Sequence, residues 1–159
     1  MSHIPALGPR GEGWLALQLT LLGAVVLASF LFPGAWPSGL EPAPRVVGAG
    51  FILVGIIVFG VAVRALGSSL SPFPQPAPGA VLVVDGPFRW IRHPIYSGLL
   101  AAAAGGAIYT GSLVAALFAV ALAVVLDLKA RREELWLRDR YPGYAPYLLR
   151  TKRFVPGLY

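Results

Sequence analysis

Four apolar runs dominate the chain and predict four helices. The first, 14–32, carries no charge and has about the 20-residue length that crosses a hydrocarbon core. A cleavable leader is the competing reading. The run is long for that, Arg10 before it is offset by Glu12, and no small-x-small cleavage pattern follows, so a retained helix is expected. The second run, 46–66, has Arg64 near its end and contains Gly48, Gly50, Gly55 and Gly60, which let a neighbouring membrane helix approach closely. Between these runs a short Pro/Gly-rich loop holds Trp36, suited to an interfacial anchor.

The third and fourth runs, 95–110 and 112–128, are each short for a full crossing. Tyr109–Ser112 reads as a tight turn joining them in a helical hairpin. The second helix of that hairpin is expected to continue past Asp127 to about Arg140, leaving its last turns in water, until Pro142, Gly143 and Pro146 end it. A proline-rich connector, 67–79, separates the two pairs of runs. It is followed by an extended-looking Val81–Val84 and a turn at Asp85-Gly86-Pro87. The expected fold is one domain, 1–159: an all-α integral membrane protein with about four transmembrane helices, a hairpin and a C-terminal cytoplasmic helical extension.

Composition agrees. Of 159 residues, 57% are hydrophobic and 13% charged, against about 25% charged in a soluble domain. A water-soluble globule of this size would be left with large oily patches. With no cysteine there is no disulfide, thiolate zinc site or thiol nucleophile. The two histidines, His3 and His93, are far apart, so no histidine-rich metal site is expected.

The net charge of +6 would suggest nucleic acid for a soluble protein. Here the cations lie beside apolar spans, a pattern of membrane orientation and of contact with anionic membrane lipids, and no nucleic-acid partner is expected. With both termini in the cytoplasm, every Lys and Arg except Arg45 falls on the cytoplasmic side. The same orientation brings Asp85–Pro94 and Lys129–Tyr159, the two most polar segments, to one face. A bacterial inner membrane is the expected location.

Three clusters offer chemistry. In Arg92-His93-Pro94-Ile95-Tyr96-Ser97-Gly98, Pro94 suits a first helical turn, Arg92 and the helix N-terminus favour an anion, and Tyr96 adds a ring and a hydroxyl. The same residue types also anchor headgroups at an interface. Glu133-Glu134 either forms i,i+4 pairs on an exposed helix, Lys129–Glu133 and Glu134–Arg138, or turns a carboxylate into a site. The tail with Tyr141, Tyr144, Tyr147, Arg150, Lys152, Arg153 and Phe154 is either an interfacial segment or a lid.

GPFRWIRHPIYSG resembles the RHPxYxG signature of integral membrane methyltransferases, among them the isoprenylcysteine carboxyl methyltransferases and phospholipid methyltransferases. REELWLRDRYPGYAPYLLRTKRFVP is similar to their second signature, so the resemblance covers 81–156. Phe88 stands where the family often has Tyr, and Tyr141-Pro142 replaces a common Phe-Gly. The resemblance implies S-adenosyl-L-methionine as cofactor, bound by Arg92, His93, Pro94, Tyr96, Gly98, Glu133 and Glu134. It implies Glu134 and Arg150 as catalytic candidates, the latter holding the substrate's polar end, and Gly105-Gly106-Ala107 as a stretch passing close to the cofactor. The implied substrate is lipid-like or prenylated, with isoprenylcysteine-type carboxyl O-methylation favoured over methylation of a phospholipid or small amine. A membrane NADPH-dependent reductase usually has Asn where this chain has Ile95, and a non-enzymatic scaffold has no need of an intact RHPIYSG and Glu-Glu pair.

Overall fold

The computed structural model describes residues 4–159, so His3 lies outside the described residues. It is all-helical. Helix α1 is Glu12–Leu31, α2 Pro42–Leu66, α3 Pro94–Thr110, α4 Leu113–Arg140 and α5 Tyr144–Arg150. Short 3-10 turns occupy Gly67–Ser69 and Gly86–Arg89, and Val81–Val84 forms no strand. Proline occupies the first turns of α2 and α3, where its missing N–H costs nothing. Two residues separate α3 from α4. Gly111, at φ 65°, ends α3 in the left-handed region, and the Ser112 side chain caps α4 by accepting from the Ala115 amide at 3.2 Å.

Three helices, α1, α2 and α4, are long and apolar enough to cross a membrane. The expected fourth crossing, 95–110, forms α3, a helix of 17 residues. At about 1.5 Å per residue it falls short of a hydrocarbon core about 30 Å thick. Its setting explains its composition. Helix α3 packs against α1, α2 and α4, and among its residues only Tyr109 is exposed. Alanine and glycine are what a helix surrounded on three sides can hold. By contrast α1, α2 and α4 carry exposed leucine, valine and phenylalanine on their outer faces, Phe30, Val46 and Leu113 among them. Such surface fits lipid, not water.

The α2–α3 contact is made through backbone. A Cβ added at Gly55 would lie 2.6 Å from the Gly98 carbonyl oxygen, and one at Gly98 would lie 2.7 Å from that of Gly55. Gly48 and Gly105 repeat the relationship two turns away, at 2.7 Å in each direction. Where lipid tails are as apolar as side chains, such close approach is what favours helix association. Helix α4 pairs with α1 on the other side of α3, and Leu122, Leu126 and Val25 meet Ala103 in the core.

Candidate functional site

The RHP segment and the chain's last residues are joined by backbone. After the 3-10 turn, Ile91 forms a parallel bridge with Lys152. The Arg92 amide donates to the Lys152 carbonyl at 2.8 Å and the His93 amide to that of Arg153 at 3.0 Å. Pro94 then starts α3, and Ser97 Oγ donates to the Phe154 carbonyl at 2.7 Å. Behind this seam the Tyr147 hydroxyl donates to the Phe88 carbonyl at 2.6 Å. The two polar segments therefore meet at one end of the bundle.

At the centre of that end is Glu134, buried on α4. Its Oε1 accepts from Arg92 Nε at 3.0 Å and Arg153 Nε at 3.1 Å, and lies 3.2 Å from His93 Nε2. Its Oε2 accepts from the second arm of Arg153 at 3.1 Å. Because the carboxylate only accepts, His93 Nε2 is assigned as the protonated nitrogen. Arg92 also donates to the Thr151 carbonyl. Arg153 reaches on to Asp127 at 2.9 Å, which holds the Tyr159 hydroxyl at 3.0 Å and Arg131 at 2.6 Å. Burial works against the charge of Arg153, yet the hydrogen bonds and attraction of Glu134, then Asp127, raise its pKa. Three of its contacts crowd Oε1 and one reaches Oε2, so this buried carboxylate serves as an anchor for the segments that carry Arg92, His93 and Arg153.

Glu133 faces the other way, toward a cavity of about 480 Å³. Its Oε2 accepts from the Tyr96 hydroxyl at 2.8 Å and lies 3.8 Å from His93 Nδ1. The His93 and Tyr96 rings stack with centroids 5.3 Å apart. Arg92, Lys129, Tyr144 and Tyr147 complete the polar wall, while Leu15, Phe59 and Val63 from α1 and α2 form an apolar one. The proline-rich connector is the cover. Its carbonyls are held by Lys129 Nζ at Pro72 (3.0 Å) and Arg140 at Pro76 (3.3 Å), and the Tyr141 hydroxyl holds Ala80 at 2.6 Å. Burial pushes the Tyr144 phenol up, helped by Glu134 and Glu133, and pushes Tyr147 up to about 12 against the pull of Arg92. Both are neutral hydroxyls at ordinary pH. That of Tyr144 is buried with no hydrogen-bond partner among the described residues.

Of the residues expected from sequence, Arg92, His93, Tyr96 and Glu133 line the cavity. Glu134 sits behind it, and Pro94 sets the start of α3. Gly98 is turned away, against the α2 backbone, where only a hydrogen fits. Gly105 does the same further along, and Ala107 packs with Ala28 and Ala115, so Gly105-Gly106-Ala107 lies away from the cavity. Arg150 is exposed on α5 and outside the ion cluster. Arg153 takes the inward place, because Thr151 leaves the helix in extended backbone and the bridge to Ile91 redirects the chain. Neither i,i+4 pair at Glu133-Glu134 is among the ion pairs of the described residues. Lys129 is also inward, donating to Gln18 Oε1 on α1 at 2.7 Å.

A bundle of apolar helices with a polar cavity at one end, walled by signature residues and covered by a loop, has the form of a membrane-embedded enzyme. The phospholipid methyltransferase family model matches residues 44–143, and the chain belongs to that family. It is 31% identical over 134 residues to the cobalt-zinc-cadmium resistance protein CzcN of Cupriavidus metallidurans. The alignment covers 84% of this chain and 59% of that relative, so the chain spans well under two thirds of the relative's length.

Proposed function

We propose that this protein transfers a methyl group from S-adenosyl-L-methionine to a lipid-like acceptor, in the cavity between the RHPIY segment and Glu133. The observation that carries the reading is that both signature segments supply neighbouring groups to one cavity, through the Tyr96–Glu133 hydrogen bond at 2.8 Å. Family membership supports membrane methyl transfer in general.

The residues fit the cofactor. A volume of about 480 Å³ lies within the range of small-molecule sites, roughly 300–1,000 Å³. The unpartnered Tyr144 hydroxyl and the Glu133 carboxylate are a donor and an acceptor suited to a nucleoside's polar edge, with the stacked His93 and Tyr96 rings beside them. When bound, S-adenosyl-L-methionine supplies an electrophilic methyl on a sulfonium for in-line displacement. The chain's own part is alignment: Glu134, through Arg92, Arg153 and His93, holds the RHP segment in place, and the connector covers the cavity. Orientation alone can contribute several kcal/mol, of order 7–11.

A carboxylate acceptor of isoprenylcysteine type is the favoured finer reading. Such an acceptor needs no base, in keeping with a Glu134 held by Arg92 and Arg153. An amine acceptor, a phospholipid headgroup for instance, is the second reading. The family match favours it, and Glu133 on the cavity wall is the base it would use. We place the cavity end of the bundle on the cytoplasmic side of a bacterial inner membrane, following the distribution of lysine and arginine.

The test is calorimetric binding of S-adenosyl-L-methionine to detergent-purified protein, followed by labelled-methyl transfer to farnesylcysteine and to phosphatidylethanolamine. Binding with transfer to the first acceptor supports the favoured reading, and transfer to the second supports the alternative. Binding of NADPH in place of S-adenosyl-L-methionine overturns both.

A further inference from the structure

Lys129 is the anomaly of the cavity. It is 1% exposed, on α4 one turn before Glu133, and it lines the cavity wall. Its Nζ donates to Gln18 Oε1 at 2.7 Å and the Pro72 carbonyl at 3.0 Å, and lies 5.2 Å from the centre of the Tyr96 ring. Both acceptors are neutral. An ammonium has three donors, and the third has no partner among the described residues. The other buried charges at this end behave differently, since Glu134 is ringed by Arg92, His93 and Arg153. No carboxylate among the described residues lies within 4 Å of Lys129. Glu133 attracts it without touching it, and a buried ammonium with no carboxylate in contact gains from a ligand that supplies an anion at hydrogen-bond distance.

Arg92 is already partly committed, its Nε to Glu134 and a terminal nitrogen to the Thr151 carbonyl. Glu133 repels an anion. We infer that Lys129, positioned by Gln18 and the Pro72 carbonyl, is the binding point for an anionic group, a carboxylate or phosphate, of a ligand seated in this cavity. The inference deepens the methyltransferase reading and rests on its cavity. The anionic group belongs either to the amino-acid end of the methyl donor or to the head of the acceptor. In either case the cation fixes one end of a ligand while Glu133, Tyr96 and Tyr144 meet another part of it.

The experiment uses two matched pairs of probes on the full chain in detergent, each pair differing in an anionic group. S-adenosyl-L-methionine is compared with its decarboxylated form, which lacks only the carboxylate, and dodecyl phosphate with dodecanol. Affinities are measured for wild type, Lys129→Met and Lys129→Arg. A preference taken as a ratio within one protein sample cancels any loss of folded material. Wild type is expected to favour the charged member of at least one pair by about tenfold or more, the range of a charge-assisted hydrogen bond. Lys129→Met is expected to lose that preference and Lys129→Arg to keep it. Loss in the first pair assigns the anion to the donor, and loss in the second to the acceptor. A wild type with no preference in either pair, or a Lys129→Met protein that keeps what wild type shows, overturns the inference. A wild type that ignores both adenosyl probes but holds dodecyl phosphate through Lys129 overturns the methyltransferase reading and leaves this one standing.

Discussion

Arg153 and Glu134 form a bidentate pair, with two nitrogens of the guanidinium each 3.1 Å from a different carboxylate oxygen. The pair closes a circuit from α4 to the C-terminal segment and, through the backbone bonds of Arg92 and His93, to the start of α3. Breaking it leaves Glu134 with Arg92 and His93 and removes a side-chain tie on the segment that carries Phe154 and Tyr159.

Arg153→Ala is therefore expected to destabilise the folded protein by about 3 kcal/mol, the scale of a broken buried ion pair. Arg153→Lys recovers little of it, since an ammonium cannot make the two-pronged contact. Arg150→Ala, at an exposed position, is expected to stay within about 0.5 kcal/mol. Thermal unfolding of the three variants in one detergent checks the order, and an Arg150→Ala loss as large as that of Arg153→Ala would contradict it.

Tyr96→Phe keeps the ring over His93 and removes the hydroxyl that Glu133 accepts. The expected result is little change in stability and weaker binding of S-adenosyl-L-methionine, by about fivefold for the loss of roughly 1 kcal/mol of positioning. Titration calorimetry on wild type and variant decides it. Equal affinities would mean that the Glu133 carboxylate needs no orientation from Tyr96.

Gly55→Leu places its side chain against the Gly98 carbonyl and the α3 backbone. Separating α2 from α3 is expected to cost about 2 kcal/mol or more. Gly50, with open space around its missing Cβ, should accept alanine without loss. Limited proteolysis of residues 67–93, which join α2 to α3, reports the difference.

Tyr147 carries a pH consequence. Burial raises its pKa in the folded state to about 12, above an unfolded value of about 10. A raised pKa gives stability that is fully present below pH about 10 and lost as pH climbs toward 12. Tyr147→Phe should remove a late-titrating phenol from the absorbance titration near 295 nm and leave the earlier ones unchanged. If the removed phenol titrates near pH 10, the hydroxyl is not held as described.

The spans were legible because length and lack of charge are local properties of a run such as 14–32. Whether the alanine- and glycine-rich run 95–110 crosses or sits inside is decided by its neighbours, and α3 proved to be the central helix. The RHPIY and Glu-Glu segments were legible as a site, but the division of labour between Glu133 and Glu134 was not. Adjacent residues on a helix point about 100° apart, and only the placement of Arg92, His93 and Arg153 tells which one is sealed. Arg150 and Arg153 look alike in a basic tail until the extended backbone at Thr151 is known. Lys129 had a signal that was open to reading. It continues the buried face set by Leu122 and Leu126, at helical spacing, and so points inward with them.

The bridge between Ile91 and Lys152 also bears on how the molecule is made. Chains are synthesised from the N-terminus. All three long apolar helices and Glu134 are therefore synthesised before Arg153. Until residues 151–154 arrive, Glu134 lacks its bidentate partner and the start of α3 lacks the segment that bonds to it. Assembly of the site thus waits on residues 151–154, and a chain cut after α4 would hold its apolar helices with Glu134 still short of Arg153.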